Sequence, residues 1–493
     1  MTMRVAMLAA ECEPWAKTGG LADVVDALAR ALGRLPEAGT ELAAPVDVFL
    51  PRYRSVPVPD GALTEPTLTI PDPDRARRGA PIAVSIVNVA ADGYRLRLVD
   101  VPAAFDRDAF YDHPDDPWRF AVFCRAALAA LRRDARPMDI VNVHDWHTGP
   151  ALLERARADA ARDAFFAGTA VVATLHNLAY HGWTANDRIG ELGLRVGEPL
   201  AGANPDGIDL LLTAIERSEI ANTVSPGFAR EALTPAFGMG LDGALRAKGN
   251  RFIGILNGID PDVWDPATDP ALAAPYSREA PGGKATCRRD LLTRLGFDPD
   301  DDRVVLGMIG RMDPQKGFDL LADGTPELLA AGARIVVQGS GHASLADPFR
   351  ALAAAQPTSV ALIERFDRDM ARRIYAGVDL FLMPSRFEPC GQGQMIALRY
   401  GTPPVVRRTG GLADSVIDAT DRPQDGTGFV FADATPGALV AAIARAAAMR
   451  TSNPAGWVAL RDRGMAVDFR WDTGAAPRYL EAYRRAITLR RGD

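Results

Sequence analysis

Short, mainly apolar runs alternate with amphipathic stretches along most of this chain, and that rhythm limits its fold more than any other feature. In the first half the runs are Val5–Ala10, Val46–Leu50, Ile140–Val143, Ala170–Leu175 and Ile220–Val224. In the second they are Val304–Ile309, Ile335–Gln338, Val360–Ile363, Leu380–Met383, Val405–Arg407 and Gly428–Phe431. None shows the in–out alternation of a strand with one wet face, so each predicts a strand covered on both sides. Between them, helical periodicity predicts helices at 21–32, 118–131, 319–330, 345–355, 369–376 and 436–449, with Asp116-Pro117 as the cap and first-turn proline of the second. Strands alternating with helices predict an α/β fold with parallel sheets. Ile82–Val89 and Tyr94–Val99, flanking Ala91-Asp92-Gly93, predict an inserted hairpin.

A length of 493 residues implies more than one domain. The segment Asp260–Gly283 is rich in Pro, Asp and Ala, lacks periodicity, and reads as a crossing between two α/β domains. The expected division is 1–258, 259–466, and a helical closing segment 467–493 that returns to the first domain. With 47% apolar residues the chain can build real cores, and a net charge of −7 argues against a general nucleic-acid or membrane-surface binder. No apolar run approaches a membrane span, and the N-terminal run meets Glu11 and Glu13 too soon for a signal peptide. Cys12, Cys124, Cys287 and Cys390 are scattered, with no CxxC, so a reduced, cytoplasmic setting is expected.

One hexapeptide occurs twice, letter for letter: Thr18-Gly-Gly-Leu-Ala-Asp23 and Thr409-Gly-Gly-Leu-Ala-Asp414. Each runs into a helical pattern. The structural reading is two tight turns that need glycine. The functional reading is two helix starts whose free N–H groups face an anion.

Three further clusters carry chemical potential. Gly310-Arg-Met-Asp-Pro-Gln-Lys316-Gly follows a strand and precedes a helix, so Arg311 and Lys316 can converge on one diphosphate. Pro384-Ser-Arg-Phe-Glu388-Pro-Cys-Gly391 leaves the strand Leu380–Met383, which places Glu388 at a carboxyl end, suited to sugar hydroxyls or to positive charge at an anomeric carbon. Cys390 reads as a small packed residue. His144-Asp-Trp-His147 and Leu175-His176-Asn177 follow buried strands, and lack the matched ligands of a closed metal site. The Asp-x-Asp tripeptides at 72–74 and 260–262 read as chance in an Asp-rich chain. A Walker loop and a G-x-G-x-x-G fingerprint are both missing. Lysine is scarce: only Lys17, Lys248, Lys284 and Lys316 occur, among 56 Lys plus Arg, so a surviving lysine is suspected of a task that arginine cannot do.

These motifs, together with Leu256-Asn-Gly-Ile-Asp260, His176-Asn177-Leu-Ala-Tyr-His-Gly182 and Gln315-Lys-Gly317, occur in an order that strongly resembles bacterial glycogen synthases and plant starch synthases (glycosyltransferase family 5). The resemblance spans nearly the whole chain. It implies a GT-B architecture, two Rossmann-like domains with parallel sheets facing across a deep cleft. It also implies glucose transfer from ADP-glucose to the non-reducing end of an α-1,4-glucan such as glycogen, with retention and with no cofactor, metal, nucleic acid or membrane. By position, Glu388, His176, Arg311 and Lys316 are implied as the catalytic set. Lys17, Gly19, Gly20, Asp23, Asp145, Asn177, Asn257, Phe366, Cys390 and the N–H groups of Gly410, Gly411 and Leu412 are implied to bind substrates, Phe366 against adenine. The chain departs from the family after Glu-Pro-Cys-Gly, where Gln392-Gly393 replace an expected Leu and a Thr or Ile. Alternatives are a retaining GT-B transferase using a UDP- or GDP-sugar, disfavoured because its usual second Glu would fall at Ile396, and an inactive glucan-binding homologue. A dinucleotide-dependent dehydrogenase is disfavoured by the missing glycine fingerprint.

Overall fold

The computed structural model describes residues 2–35, 42–43, 45–77, 79–198, 203–204 (backbone only) and 206–492. The chain forms two compact units. The first comprises Met1–Val224, Ala229–Ile255 and Trp471–Asp493; the second comprises Ser225–Phe228 and Leu256–Arg470.

In the first unit a ten-stranded sheet runs in the order Phe252–Gly254, Ile220–Thr223, Ala170–Leu175, Ile140–His144, Val5–Leu8, Val46–Pro51, Tyr94–Asp100, Pro81–Ala90, Leu63–Thr64. Leu68–Pro71 pairs with Pro81–Ala90 off this path. The strands are parallel as far as Tyr94–Asp100. The last pairings are antiparallel and include the expected hairpin, with Val87 opposite Leu98. Strands 5–8, 140–144 and 170–175 are buried along their whole length, as their mainly apolar sequence predicts, with Asn142, His144 and Thr174 as buried polar exceptions. A second, three-stranded sheet joins Ala203–Asn204, Gly207–Asp209 and Trp183–Ala185.

The second unit holds a six-stranded parallel sheet in the order Val360–Ile363, Arg334–Gln338, Val305–Ile309, Leu380–Met383, Pro404–Arg407, Phe429–Phe431. Counted along the chain from Val305–Ile309, this is the doubly wound order, which reverses direction between 305–309 and 380–383. The first sheet reverses in the same way between Val5–Leu8 and Ile140–His144. A crevice opens outside the carboxyl ends of the strands at such a switch point, and ligands of open α/β sheets bind there. Phe318, Phe349, Leu380, Phe429 and Leu439 belong to one apolar cluster in the second unit.

Several elements differ from expectation for visible reasons. The helix expected at 118–131 is Asp116–Arg133. Asp115, not Asp116, stands at its cap and makes no capping bond; its carboxylate accepts from Arg107 at 3.0 Å, and that of Asp116 is engaged by Arg119 and by the His113 N–H. Residues 260–282 are no crossing. They lie wholly in the second unit, where Tyr276 donates to the Tyr400 carbonyl at 2.8 Å and Tyr400 donates to Asp269 at 2.5 Å. Helices Pro150–Ala160, Gly283–Arg294 and Pro454–Ala466 were not anticipated. The closing helix Ala476–Arg491, entered through a π-turn at Trp471–Ala475, packs in the first unit. Its Tyr483 hydroxyl donates to Asn142 at 2.8 Å and its Tyr479 hydroxyl accepts from Asn222 at 3.1 Å, which partners two polar side chains buried inside strands.

Lys248 and Lys284 also act inside the fold. The Lys284 ammonium donates to the Ala376 carbonyl at 2.9 Å, the Tyr400 carbonyl at 3.0 Å and Thr402 Oγ1 at 2.7 Å. Lys248 donates to the Ser218 and Glu216 carbonyls. A tetrahedral ammonium suits three converging oxygens; a planar guanidinium does not. Burial pushes Lys284 down to about 7 and Lys248 to about 8.

Candidate active site

In the second unit the two loops beside the switch point carry the expected charges. The loop after Val305–Ile309 brings Lys316 within 2.7 Å of Glu388 Oε2, which stands on the loop after Leu380–Met383. Ser385 Oγ donates to the same oxygen at 3.0 Å. Glu388 is only 4% exposed, so it is a desolvated carboxylate held by one cation and one hydroxyl. Backbone bonds lock the loops together: Arg386 N–H donates to the Gln315 carbonyl at 2.7 Å, and Gln315 Nε2 to the Phe387 carbonyl at 3.1 Å. Ser225 Oγ, in a segment that sequence analysis gave no role, donates to the Pro389 carbonyl at 2.6 Å. Arg311 is the open cation of the set. Its side chain is 57% exposed, and the Asp313 carboxylate lies 3.4 Å away.

The second hexapeptide forms the floor of this loop pair. Gly410 has φ +42°, and a Cβ there would fall 2.1 Å from the Glu388 carbonyl oxygen; at Gly411 it would fall 2.2 Å from that of Cys390. The glycines let the helix start press against the Glu388 loop. This corrects the expectation of free donors. Gly411 N–H donates to the Glu388 carbonyl at 3.1 Å and Leu412 N–H to that of Thr409 at 3.1 Å, while Gly410 is also engaged. Cys390 is buried, and burial pushes its thiol up to about 12, so it packs and does not react. Asn257 is 5% exposed, and its Oδ1 has no partner among the described residues. Phe366 lies at the opposite extreme, 80% exposed on the loop before helix Arg368–Gly377. Where the chain departs from the expected Leu and Thr or Ile, a Cβ at Gly393 would meet the Phe381 ring at 2.9 Å. Ile396, where a second Glu would fall, is 4% exposed.

In the first unit the loop after Val5–Leu8 is organised by a residue that sequence analysis passed over. Glu11, 4% exposed, accepts Thr18 N–H at 2.6 Å, Thr18 Oγ1 at 2.6 Å, Gly19 N–H at 3.0 Å and the Tyr111 hydroxyl at 2.8 Å. A carboxylate of the protein itself therefore occupies the start of helix Gly20–Arg34, where unoccupied donors were expected. The signal was present in the sequence, as an acid directly behind a buried strand. Lys17 is paired with Asp23 at 2.5 Å and Glu13 at 3.2 Å. A Cβ at Gly19 or Gly20 would meet nothing within 4 Å. The two identical hexapeptides thus use glycine differently, the second for close packing and the first for open space.

Beyond the neighbouring strands, Asp145 has φ +55° and its Oδ1 accepts His176 N–H at 2.7 Å, so it shapes the 176–177 turn. Burial, reinforced by the charge of Glu11, raises Asp145 to about 7 against the pull of the His176 and Asn177 N–H groups. His176 Nε2 and His144 Nδ1 are 2.9 Å apart, so one donates and the other accepts. Burial lowers both His176 and His147 to about 3, so their rings stay neutral. His147 stacks on Trp146 with centroids 4.0 Å apart. Asn177 Oδ1 accepts Ala179 N–H at 3.0 Å. Asp72 accepts the Trp118 indole N–H at 2.8 Å and Asp260 Oδ1 accepts Asp262 N–H at 2.8 Å, so both Asp-x-Asp tripeptides have structural work. Among the described residues no group of three or more His, Cys, Asp or Glu is disposed to hold a metal.

Comparison with known proteins adds to this geometry. Residues 4–247 match the starch synthase catalytic domain, and residues 303–448 match glycosyl transferases group 1. The chain is 41% identical to a glycogen synthase of Syntrophotalea carbinolica over 503 aligned positions, which cover 99% of each protein. It belongs to the glycogen and starch synthase family. Glycogen synthase 2 of Geobacter sulfurreducens is 39% identical, across 99% of this chain and 100% of that protein. The catalytic domain of starch synthase IV from Arabidopsis thaliana, solved with ADP and acarbose, superposes with a TM-score of 0.88 at 33% identity, covering 99% of this chain and 100% of that one. Sucrose-phosphate synthase from Thermosynechococcus elongatus shares the fold alone, at a TM-score of 0.58 and 17% identity. The expected GT-B class therefore holds, and the chain is a glycosyltransferase of the glycogen/starch synthase family.

Proposed function

We propose that this glycogen/starch synthase moves glucose from ADP-glucose to the 4-hydroxyl at the non-reducing end of an α-1,4-glucan, with retention. The observation that carries the reading is the Lys316–Glu388 pair at the switch point of the second unit. Lys316 and Arg311 supply the cations that a departing diphosphate needs, and they act where negative charge develops. Glu388 takes the sugar hydroxyls and supports positive charge at the anomeric carbon. Phe366 offers an exposed face to adenine. The first unit contributes Lys17, Gly19, Gly20 and Asp23 on the donor side, and Asp145, His176 and Asn177 around the sugar. Asn257, Cys390 and the Gly410–Leu412 backbone complete the binding set from the second unit, the last by shaping the Glu388 loop.

In the step itself the bond from the anomeric carbon to the β-phosphate oxygen breaks and the bond to the acceptor O4 forms on the same face. The O4 proton passes to the leaving phosphate, so no protein nucleophile is consumed. With Ile396 in place of a second acid, Glu388 and its two partners carry this duty alone in their unit. The ADP of the bound Arabidopsis relative supports adenine as the base. The four free, buried cysteines suit a cytoplasmic setting, and among the described residues no helix is long and apolar enough to cross a membrane.

Incubation with labelled ADP-, UDP- and GDP-glucose and glycogen tests the reading. Label enters glycogen from ADP-glucose with the highest kcat/KM. Preference for another donor overturns the nucleotide assignment, and incorporation from none overturns the transferase assignment.

A further inference from the structure

The aromatic side chains among the exposed large apolar residues are Tyr180, Trp183 and Phe366. Two of these fall within four residues of one another, immediately after the His176–Asn177 turn. Tyr180 is 55% exposed and Trp183 is 45% exposed, whereas most large aromatic rings of the first unit lie in its core. Large apolar rings left open on a rigid support mark a binding surface.

The support is rigid. Trp183 sits in a strand opposite Asp209, and the edge of its indole lies over Gly207, where a Cβ would fall 2.9 Å from Cζ2. Between the two rings, His181 Nδ1 is 2.5 Å from Asp209 Oδ2, and the His181 carbonyl accepts Leu211 N–H at 3.0 Å. Gly182 has φ +65°, and a Cβ there would fall 2.3 Å from the Trp146 ring, so only glycine lets the loop lie on that indole. Trp146 follows Asp145, whose carboxylate holds the His176 N–H. One rigid piece of backbone therefore carries the His176 turn and the two open rings together. Their order is little disturbed by a ligand, which keeps the entropic cost of binding low.

From this arrangement we propose that Tyr180 and Trp183 form an aromatic platform on which pyranose rings of the α-glucan acceptor stack. The proposal rests on the glucosyl-transfer reading. A glucose ring in an α-1,4-glucan presents an apolar C–H face and a rim of hydroxyls. An indole or phenol ring, with its negative face, complements the C–H face, and the Tyr180 hydroxyl can address the rim. The platform fixes where the chain of the acceptor runs, beyond the sugar that reacts.

The test uses full-length Tyr180→Ala, Trp183→Ala and Trp183→Phe proteins, with maltoheptaose and glycogen as acceptors. Both alanine variants raise the acceptor KM about tenfold, which corresponds to about 1.4 kcal/mol, and leave the ADP-glucose KM within about twofold. Trp183→Phe recovers most of the loss because it restores a ring face, and the unchanged donor KM separates this from a general structural defect. Retardation of the wild-type protein in glycogen-containing native gels reports binding without turnover, and both alanine variants lose it. An acceptor KM unchanged in both alanine variants, with gel retardation intact, overturns the platform. A donor KM that rises in parallel also overturns it, because the rings then serve the whole site. If the wild type transfers from no nucleotide-glucose yet is retarded by glycogen through these rings, the transfer reading fails and the platform stands.

Discussion

The Glu11 carboxylate accepts the N–H of Gly19 at 3.0 Å, and its other oxygen holds Thr18 Oγ1 at 2.6 Å. One side chain therefore sets the path of the loop that presents Lys17. Hydrogen bonds to a charged group contribute about 1.5–3 kcal/mol each. Glu11→Gln, which keeps the shape but offers one acceptor oxygen, lowers kcat/KM for ADP-glucose roughly tenfold to hundredfold, mainly through the donor KM. Steady-state kinetics with the donor varied at saturating glucan reads this, and wild-type constants in the variant refute the latch.

The Lys316–Glu388 pair acts as a unit. Lys316→Ala and Glu388→Ala each reduce kcat by about 10²–10³-fold, the range for groups aimed at developing charge. The double variant is little worse than the poorer single one, because either deletion leaves the other group without its partner. Lys316→Arg also impairs transfer, since a planar fork cannot occupy the point between Glu388 and the loop. Additive losses in the double-mutant cycle argue against the unit.

Asp145, raised to about 7, gives the activity an acid limb. Above that pH its carboxylate accepts the His176 N–H and fixes the turn; below it, protonation weakens the hold. The plot of kcat/KM against pH therefore falls below about pH 7, and Asp145→Asn removes the limb while lowering the plateau. His176, lowered to about 3, adds no limb between pH 5 and 8. Stability moves the other way. The unfolded group titrates near 3.8, so the folded chain binds more protons between 3.8 and about 7, and this residue's contribution to stability declines as pH rises through that window. Urea unfolding of wild type and Asp145→Asn across pH 4–8 measures the difference in slope.

The two hexapeptides respond oppositely to the same substitution. Gly411→Ala places a methyl 2.2 Å from the Cys390 carbonyl and destabilises the second unit by several kcal/mol. Gly19→Ala meets open space at an extended backbone, φ −152°, and melts within about 2 °C of wild type. On the proposed reading its methyl enters space that the donor uses, so kcat/KM falls. Calorimetry and kinetics on both variants decide, and equal behaviour of the two contradicts the assignment.

What could be read from the sequence was what a single segment specifies. Ala170–Leu175, Val360–Ile363 and Leu380–Met383 begin and end where their mainly apolar runs do, because a strand covered by helices is built chiefly from apolar residues. Glu388 and Lys316, which the structure pairs, were singled out because each stands on a loop leaving such a strand. What could not be read depends on distant partners. Helices Gly283–Arg294 and Pro454–Ala466 lack a clear apolar stripe and are held by tertiary packing. The role of Glu11 needs the loop to fold back seven residues, and that of Ser225 needs Pro389 to arrive from elsewhere in the chain. The repeat showed where two turns lie; only the surroundings of each show why both need glycine.

The placement of the four lysines makes the protein unusually easy to interrogate with amine chemistry. Backbone carbonyls hold the amines of Lys248 and Lys284, whereas Lys17 and Lys316 pair with carboxylates on side chains 30% and 22% exposed. A lysine-directed acylating label applied to the folded protein thus has few lysine side chains to meet, and Lys17 and Lys316, each proposed to serve the donor, are among them. Protection of either by nucleotide reads occupancy directly, in a mass spectrum, with no substitution made.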